Sequence, residues 1–293
     1  MLSGLLSLAV TGILWVVLGV VVSSSARKNQ NLSFIQGGAG VLIVLAALPG
    51  LFFTSIPGWL TTVCIFLSGV GNYTIFLVMK RAMESGPNGL TWAIIQSAFT
   101  IPFIMGITFF HVNCSLFRLA GLLLLLTATV LMGCCGQKQN NGEGFSRKWL
   151  IFTVTGFVLA GLNQCCANLP PYFTGHEEID FSGLWVRSGL GGAGTAAAWL
   201  LHGLKRRENF QGGSCGKGII LMTISTLIAS VTLFCGLDQL ASAGAGAIGY
   251  PIAMGITIAA FLLYSILILH ERLSPTALAS ILLCLCGIVL LTA

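Results

Sequence analysis

Residues 3–24 read SGLLSLAVTGILWVVLGVVVSS, a run that contains no charged side chain. A helix needs about 20 mostly apolar residues to cross the hydrocarbon core of a bilayer, and this run is long enough. It has neither the basic start nor the small-residue cleavage site of a signal peptide. The run therefore predicts a retained first membrane helix.

The rest of the chain has the same character. Of its 293 residues, 56% are apolar and 8% are charged, and the mean hydropathy is +0.94. Soluble domains carry about 25% charged residues. A soluble protein this apolar would expose large hydrophobic patches and aggregate. The composition predicts an all-α polytopic protein with the lipid bilayer as its solvent. The cations are scattered between apolar runs, so no nucleic-acid partner is expected.

Loop signals cut the chain into ten apolar runs. The cuts include Ser55–Gly58, Ser85–Gly89 and Pro170–Pro171, and a polar linker follows Gln137. We predict ten transmembrane helices at about residues 3–24, 33–54, 58–79, 88–110, 116–135, 148–168, 182–204, 217–240, 244–269 and 275–292. The predicted organisation is a first half (1–138), a cytoplasmic linker (139–147) and a second half (148–293).

The positive charges predict the orientation. If the runs alternate across the membrane, all of the 14 lysines and arginines except Arg118 and Arg187 fall on one side. An excess of lysine and arginine marks the cytoplasmic side. Both termini are therefore predicted to lie outside the cytoplasm, in the inner or plasma membrane of the cell.

A weak internal repeat relates the two halves. Residues 84–132 align with residues 242–290, so that Gly86 meets Gly244 and Trp92 meets Tyr250. Five runs per half is an odd number, which forces the two halves into opposite orientations. Inverted repeats with a binding site between them are a common design of secondary transporters.

Two groups of residues resemble a known family. Ile268–Ser274, read as ILHERLS, and the apolar run with Gly287 resemble the loop and last helix of EamA-type members of the drug/metabolite transporter superfamily. A further resemblance, to the L-rhamnose–proton symporter and related sugar porters, rests on Arg27–Lys28, Gly69–Asn72, Met79–Arg81 and Ser85–Gly86. The resemblance implies the ten-helix inverted-repeat fold and the uptake of a sugar-like solute.

Several short motifs do not predict an enzyme. Gly189–Gly194 and Gly244–Gly249 match G-x-G-x-x-G, but both lie in apolar runs with no strand before them, so tight helix packing is the favoured interpretation. No Walker A motif and no paired catalytic residues occur. We expect no enzymatic activity, no metal and no cofactor.

Polar and aromatic side chains inside the apolar runs are the candidate substrate site, because polar groups at bilayer depth cost free energy. Amides would bind hydroxyl groups and flat rings would stack on the solute. The alternative is that the amides join helices and the rings anchor them at the interface. The candidates are Trp15, Asn72, Trp92, Gln96, Asn163, Gln164 and Tyr250.

Two charges lie near the outer ends of the predicted helices. Asp238 is near the end of the eighth run, and Arg187 is just over a turn inside the seventh. Their positions predict an ion pair, and Asp238 is the best acidic candidate for ion coupling. A structural ion pair is the competing interpretation.

These observations predict a secondary transporter for a small polar, sugar-like metabolite, coupled to a proton or sodium ion and working by alternating access. The alternative on the same fold is an exporter of drugs or amino acids. A membrane enzyme or a structural subunit is the third interpretation. The expected partners are the solute, the coupling ion and the lipid bilayer, for a monomer or a homodimer.

Overall fold

The computed structural model describes residues 2–28, 30–86, 88–137, 146–173, 181–206, 215–267 and 275–292. Most of the predicted linker, at 139–145, lies outside these residues, and so does the family-like segment at 268–274. Within the described ranges all regular structure is helical, and no strand is present.

Twelve α-helices follow one another along the described chain. They are α1 (Leu2–Arg27), α2 (Leu32–Ala47), α3 (Trp59–Met83), α4 (Asn88–Gln96), α5 (Thr100–Thr108), α6 (Leu116–Gln137), α7 (Arg147–Asn168), α8 (Pro170–Phe173), α9 (Phe181–Arg206), α10 (Gly216–Ser242), α11 (Gly249–Leu267) and α12 (Pro275–Thr292). Short 3-10 segments extend α2 at Leu48–Phe52, join α4 to α5 at Ser97–Phe99, and precede α11 at Gly246–Ile248.

In the part of the chain that the structure describes, five helical segments are long and apolar enough to cross a membrane: Leu2–Arg27, Leu32–Phe52, Trp59–Met83, Arg147–Phe173 and Gly216–Ser242. The described structure is therefore all-helical, as the sequence predicted, and it contains helices suited to a membrane. The fourth predicted run differs from expectation, since it is α4 and α5 with a 3-10 turn between them rather than one α-helix.

Many large apolar side chains of the described helices are exposed, as expected of a surface that faces lipid. On α1, Leu2, Leu6 and Ile13 are exposed, whereas Leu8 and Thr11 on the other face are fully buried. The exposed side chains recur at intervals of about one or two turns, so they form a continuous apolar stripe. A protein in water would bury such a stripe, and a bilayer solvates it.

The closest helix packing joins the two halves of the chain. Helix α1 packs on α10, α2 on α9, α3 on both α7 and α9, and α6 on α12. If each run of one half is replaced by the corresponding run of the other half, the α1–α10 pair becomes the α7–α3 pair. The α2–α9 and α6–α12 pairs remain unchanged. The main hydrophobic cluster of the described residues accordingly contains residues of both halves, from Leu8 to Leu291.

Paired glycines permit these close crossings. A methyl group on Gly40 would lie 2.9 Å from the Gly192 carbonyl oxygen, and one on Gly192 would lie 3.0 Å from the Gly40 oxygen. Gly121 and Gly287 show the same reciprocal relation between α6 and α12, at 2.7 and 2.9 Å. Small residues allow the backbones of two membrane helices to approach directly.

The two glycine-rich motifs have different structures. The run Gly189–Gly194 lies within α9 and faces α2 and α3, as expected for tight helix packing. The expectation of a helical run was wrong for Gly244–Gly249. Gly244 has a φ of +68°, and the segment makes the turn and 3-10 start between α10 and α11. Glycine adopts this left-handed conformation without the steric cost that a Cβ atom imposes.

Candidate functional site

One cavity lies between α1, α2, α3, α4, α7, α9, α10 and α11. Its volume is about 130 Å³. All seven residues proposed from the sequence as substrate ligands line it: Trp15, Asn72, Trp92, Gln96, Asn163, Gln164 and Tyr250. The fold brings these residues together although they come from five helices, but their role in binding remains a prediction.

Two of the amides join α3 to α7 at the cavity wall. The Asn163 Nδ2 atom donates a hydrogen bond of 2.9 Å to Asn72 Oδ1. Gly71 makes room for this contact, because a methyl group there would lie 2.5 Å from Asn163 Oδ1. That oxygen and Gln164 Oε1 are buried, and they have no hydrogen-bond partner among the described residues.

Three of the aromatic residues that line the cavity take part in stacked ring pairs. Trp15 stacks on Tyr250 with ring centroids 6.2 Å apart, and Trp92 stacks on Phe261 at 5.5 Å. The Trp92 ring fits against Gly19, where a methyl group would touch it at 2.9 Å. Trp92 is 1% exposed, and its indole N–H has no acceptor within the described part of the chain. Buried indole N–H groups normally have one.

The structure adds a residue that the sequence reasoning missed. Gln36 on α2 lines the cavity and is 2% exposed, and neither its Oε1 nor its Nε2 finds a partner in the described residues. An unpaired buried polar group costs about 1–3 kcal/mol. The signal was present in the sequence, since Gln36 is an amide inside the second apolar run. Hydroxyl side chains were missed as well: Ser68, Thr195, Thr226 and Ser230 also line the cavity.

The predicted ion pair forms just beyond the cavity. Arg187 Nη1 on α9 lies 2.5 Å from Asp238 Oδ2 on α10, and each side chain is 15% exposed. Neither residue lines the cavity itself, but Ser188, next to Arg187, and Phe234, one turn before Asp238, both do. The pair therefore ties α9 to α10 at one end of the cavity.

A hydrogen-bonded group that the sequence did not suggest ties helices together at the other end. The Tyr73 hydroxyl lies 2.7 Å from Ser33 Oγ on α2 and 2.7 Å from His202 Nδ1 on α9. We call these three residues the tyrosine triad. Tyr73 is buried and lines the cavity. Arg187 and His202 are separated by about 22 Å along α9, at about 1.5 Å per residue.

Replacing Tyr73 with phenylalanine is expected to lower the stability of the protein by about 1–3 kcal/mol, because Ser33 and His202 would both lose a buried partner. His202→Ala should cost a similar amount. The double variant should cost little more than Tyr73→Phe alone, since Tyr73→Phe already removes the hydrogen bond to His202. Unfolding of the detergent-solubilised protein measures the effect.

Thr74→Val is the matched control for Tyr73→Phe. Thr74 is the next residue on α3 and is exposed, and its hydroxyl donates a hydrogen bond to the Val70 carbonyl one turn earlier. Its replacement should change the stability by less than about 0.5 kcal/mol. Equal effects of Tyr73→Phe and Thr74→Val would show that the triad does not hold the helices together.

Comparison with known proteins gives a fold but no family. No family model matches the chain, and no curated protein matches it. A solved structure described only as "Crystal structure of protein" aligns with 98% of this chain and 96% of its own, with a TM-score of 0.71 and 15% sequence identity. At that identity the likeness concerns the arrangement of helices alone. The chain thus shares its overall architecture with a protein of known structure.

Proposed function

We propose that this protein is a secondary transporter that moves a small polar, sugar-like metabolite across a membrane by alternating access. The observation that carries the proposal is the cavity, where amides and aromatic rings from both halves of the chain surround one space inside an otherwise apolar molecule. Polar groups at membrane depth are costly and usually functional. Binding sites between two repeats are typical of secondary transporters.

The proposal includes ten membrane-spanning segments in two inverted halves. In its support, described helices occur in each of the ten predicted runs, and helix pairs such as α1–α10 and α7–α3 exchange when the halves are exchanged. Five of the segments also have the length and apolarity needed for a bilayer. The remaining runs would complete the bundle around the cavity.

Alternating access needs a contact that can open at each end of the cavity. The Arg187–Asp238 pair would close one end and the tyrosine triad the other. Helix α9 contributes to both contacts, through Arg187 near its start and His202 near its end. Tilting of α9 could therefore break one contact while it preserves the other. We propose that the solute moves through the cavity in this way, driven by a proton or sodium gradient.

Reconstituted protein tests transport directly. A thermal-shift screen of sugars, amino acids and nucleosides identifies a ligand, and proteoliposomes then measure exchange of that ligand in labelled form. We expect saturable exchange, and a loss of at least tenfold in Asn163→Leu, which removes the amide but keeps the volume. Thr127→Val, at an exposed position of α6, should exchange like the unmodified protein. Absence of saturable exchange for every ligand found would refute the proposal.

The orientation of the chain is a separate prediction. An excess of cations on the cytoplasmic side puts both termini outside the cytoplasm. An enzyme reporter that is active only outside the cytoplasm, fused after Ala293, is expected to be active. A fusion after Arg147, in the predicted cytoplasmic linker, is the control and should be inactive. The opposite pattern would reverse the assigned orientation without affecting the cavity.

A further inference from the structure

The cavity contains hydrogen-bonding groups that nothing else in the described protein satisfies. Gln36 on α2, Trp92 on α4 and Gln164 on α7 are each at most 4% exposed, and all three line the cavity. The Gln36 Oε1 and Nε2 atoms, the Trp92 indole N–H and Gln164 Oε1 have no partner among the described residues. Three different helices thus contribute buried, unsatisfied polar side chains to the lining of one cavity.

We propose that these groups bind an uncharged solute that both donates and accepts hydrogen bonds, with Gln36 as the residue that determines this specificity. The inference rests on the proposed function, since it takes the cavity as the solute site. An amide N–H and an indole N–H require acceptors on the ligand, whereas the amide oxygens of Gln36 and Gln164 require donors. A ligand that had only hydrogen-bond donors, or only acceptors, would leave some of these atoms unpaired.

The charge of the cavity selects for neutral ligands. Among the described residues that line it, none is an aspartate, glutamate, lysine or arginine. A carboxylate, phosphate or ammonium group would therefore lose its hydration without meeting an opposite charge, which is costly in a buried site. The Arg187–Asp238 pair lies outside the lining and its two charges compensate each other.

The volume of the cavity suits a ligand of about one ring. A cavity of about 150 Å³ holds one benzene ring, and this cavity measures about 130 Å³. Trp15 and Tyr250, which stack on each other, contribute aromatic rings to its lining. Two neutral classes fit these demands: a ring with neighbouring hydroxyl groups, and a ring with a carboxamide. Both present a donor and an acceptor close together.

Matched ligand pairs test the inference by direct binding to the purified full-length chain. Glucose, glucuronate and glucosamine share a pyranose ring and differ in charge, and nicotinamide and nicotinate likewise differ in charge. We expect the unmodified protein to bind glucose or nicotinamide at least tenfold more tightly than the charged partners. The neutral compound that binds distinguishes the hydroxyl class from the carboxamide class. Preferential binding of a charged partner, or binding of none of the five, would overturn the inference.

Variants at Gln36 identify the residue responsible. Gln36→Met keeps the length of the side chain but removes its hydrogen bonds, so we expect the affinity for the neutral ligand to fall about tenfold or more. Gln36→Glu should also lower the affinity for the neutral ligand, and this variant should bind glucosamine measurably. Gln239→Met is the control, because Gln239 bonds Ser3 at the outer end of α10 and does not line the cavity.

The binding and transport assays separate the two proposals. If Gln36→Met binds the neutral ligand as tightly as the unmodified protein does, Gln36 is not the specificity residue, whether or not transport occurs. If ligand binding depends on Gln36 but proteoliposomes show no exchange, the ligand class stands and the transport proposal fails. Unchanged thermal unfolding of Gln36→Met without ligand would exclude misfolding as the cause of a lost affinity.

Discussion

Gly194→Ala is expected to destabilise the protein by more than about 3 kcal/mol, above the usual range for one added methyl group. A Cβ atom on Gly194 would overlap the carbonyl oxygen of Phe66 on α3, and that oxygen belongs to the backbone and cannot rotate away. The helices would have to separate. Separation would also break the 3.0 Å hydrogen bond from Thr195 Oγ1 to the Gly69 carbonyl.

An added methyl group on the α3 side of the α3–α9 crossing should destabilise the protein as well. A Cβ atom on Gly69 would overlap the Gly191 carbonyl oxygen of α9, so Gly69→Ala should be as damaging as Gly194→Ala. The double variant should be less damaging than the sum, because one separation of α3 from α9 relieves both overlaps. The amount of monodisperse protein and its unfolding midpoint in detergent measure these effects.

Gly203→Ala is the control on the same helix. Apart from its own helix, no atom of the described residues lies within 4 Å of the position that its methyl group would take. Alanine favours the helix over glycine by up to about 1 kcal/mol, so this variant should be as stable as the unmodified protein or slightly more stable. If Gly194→Ala and Gly203→Ala unfold at the same midpoint, the close packing of α3 on α9 does not determine stability.

Breaking the Arg187–Asp238 pair from one side should have the second large effect. Asp238→Leu leaves the Arg187 charge poorly hydrated, and Arg187→Met leaves the Asp238 charge in the same state, so each is expected to cost about 3–5 kcal/mol. The double variant should recover most of that loss, because it leaves no unpaired charge. A double variant as unstable as the sum of the singles would show that the two residues act independently.

Asp238→Asn tests coupling with a smaller structural change than Asp238→Leu. It keeps the shape of the side chain and one hydrogen-bonding oxygen towards Arg187, but it can no longer take up a proton. If Asp238 carries the proton, this variant should lose concentrative uptake and its pH dependence, yet keep exchange of labelled solute. Accumulation with unchanged pH dependence would remove Asp238 from the coupling mechanism and leave a purely structural ion pair.

Hydropathy determined most of the fold, because it is a property of consecutive residues. Apolar runs such as residues 3–24 predicted the helices, and loop residues such as Pro57 and Gly58 predicted where they end. The break of the fourth run at Ser97–Phe99 was not predicted. A 3-10 turn depends on the packing of Ala98 and Phe99 in the core, which the local pattern does not encode.

Some residues of the candidate site could be identified from the sequence, and others only from the structure. Trp92 and Gln96 could be selected from the sequence because polar and aromatic groups at membrane depth are unusual in any apolar run. Gln36 satisfied the same criterion, but it lies one turn from the predicted end of its run, where an amide often faces the headgroups. Its burial follows from the contact of α2 with α9, between residues far apart in the chain.

The sequence by itself determined that the chain is helical and built for a lipid environment, and it identified the polar residues within the apolar runs. Only the tertiary structure decided which faces of the helices meet. The assembly of the tyrosine triad and the set of amides in the cavity depend on the rotation of each helix about its axis. That rotation is fixed by close crossings such as Gly40 against Gly192, which no local pattern contains.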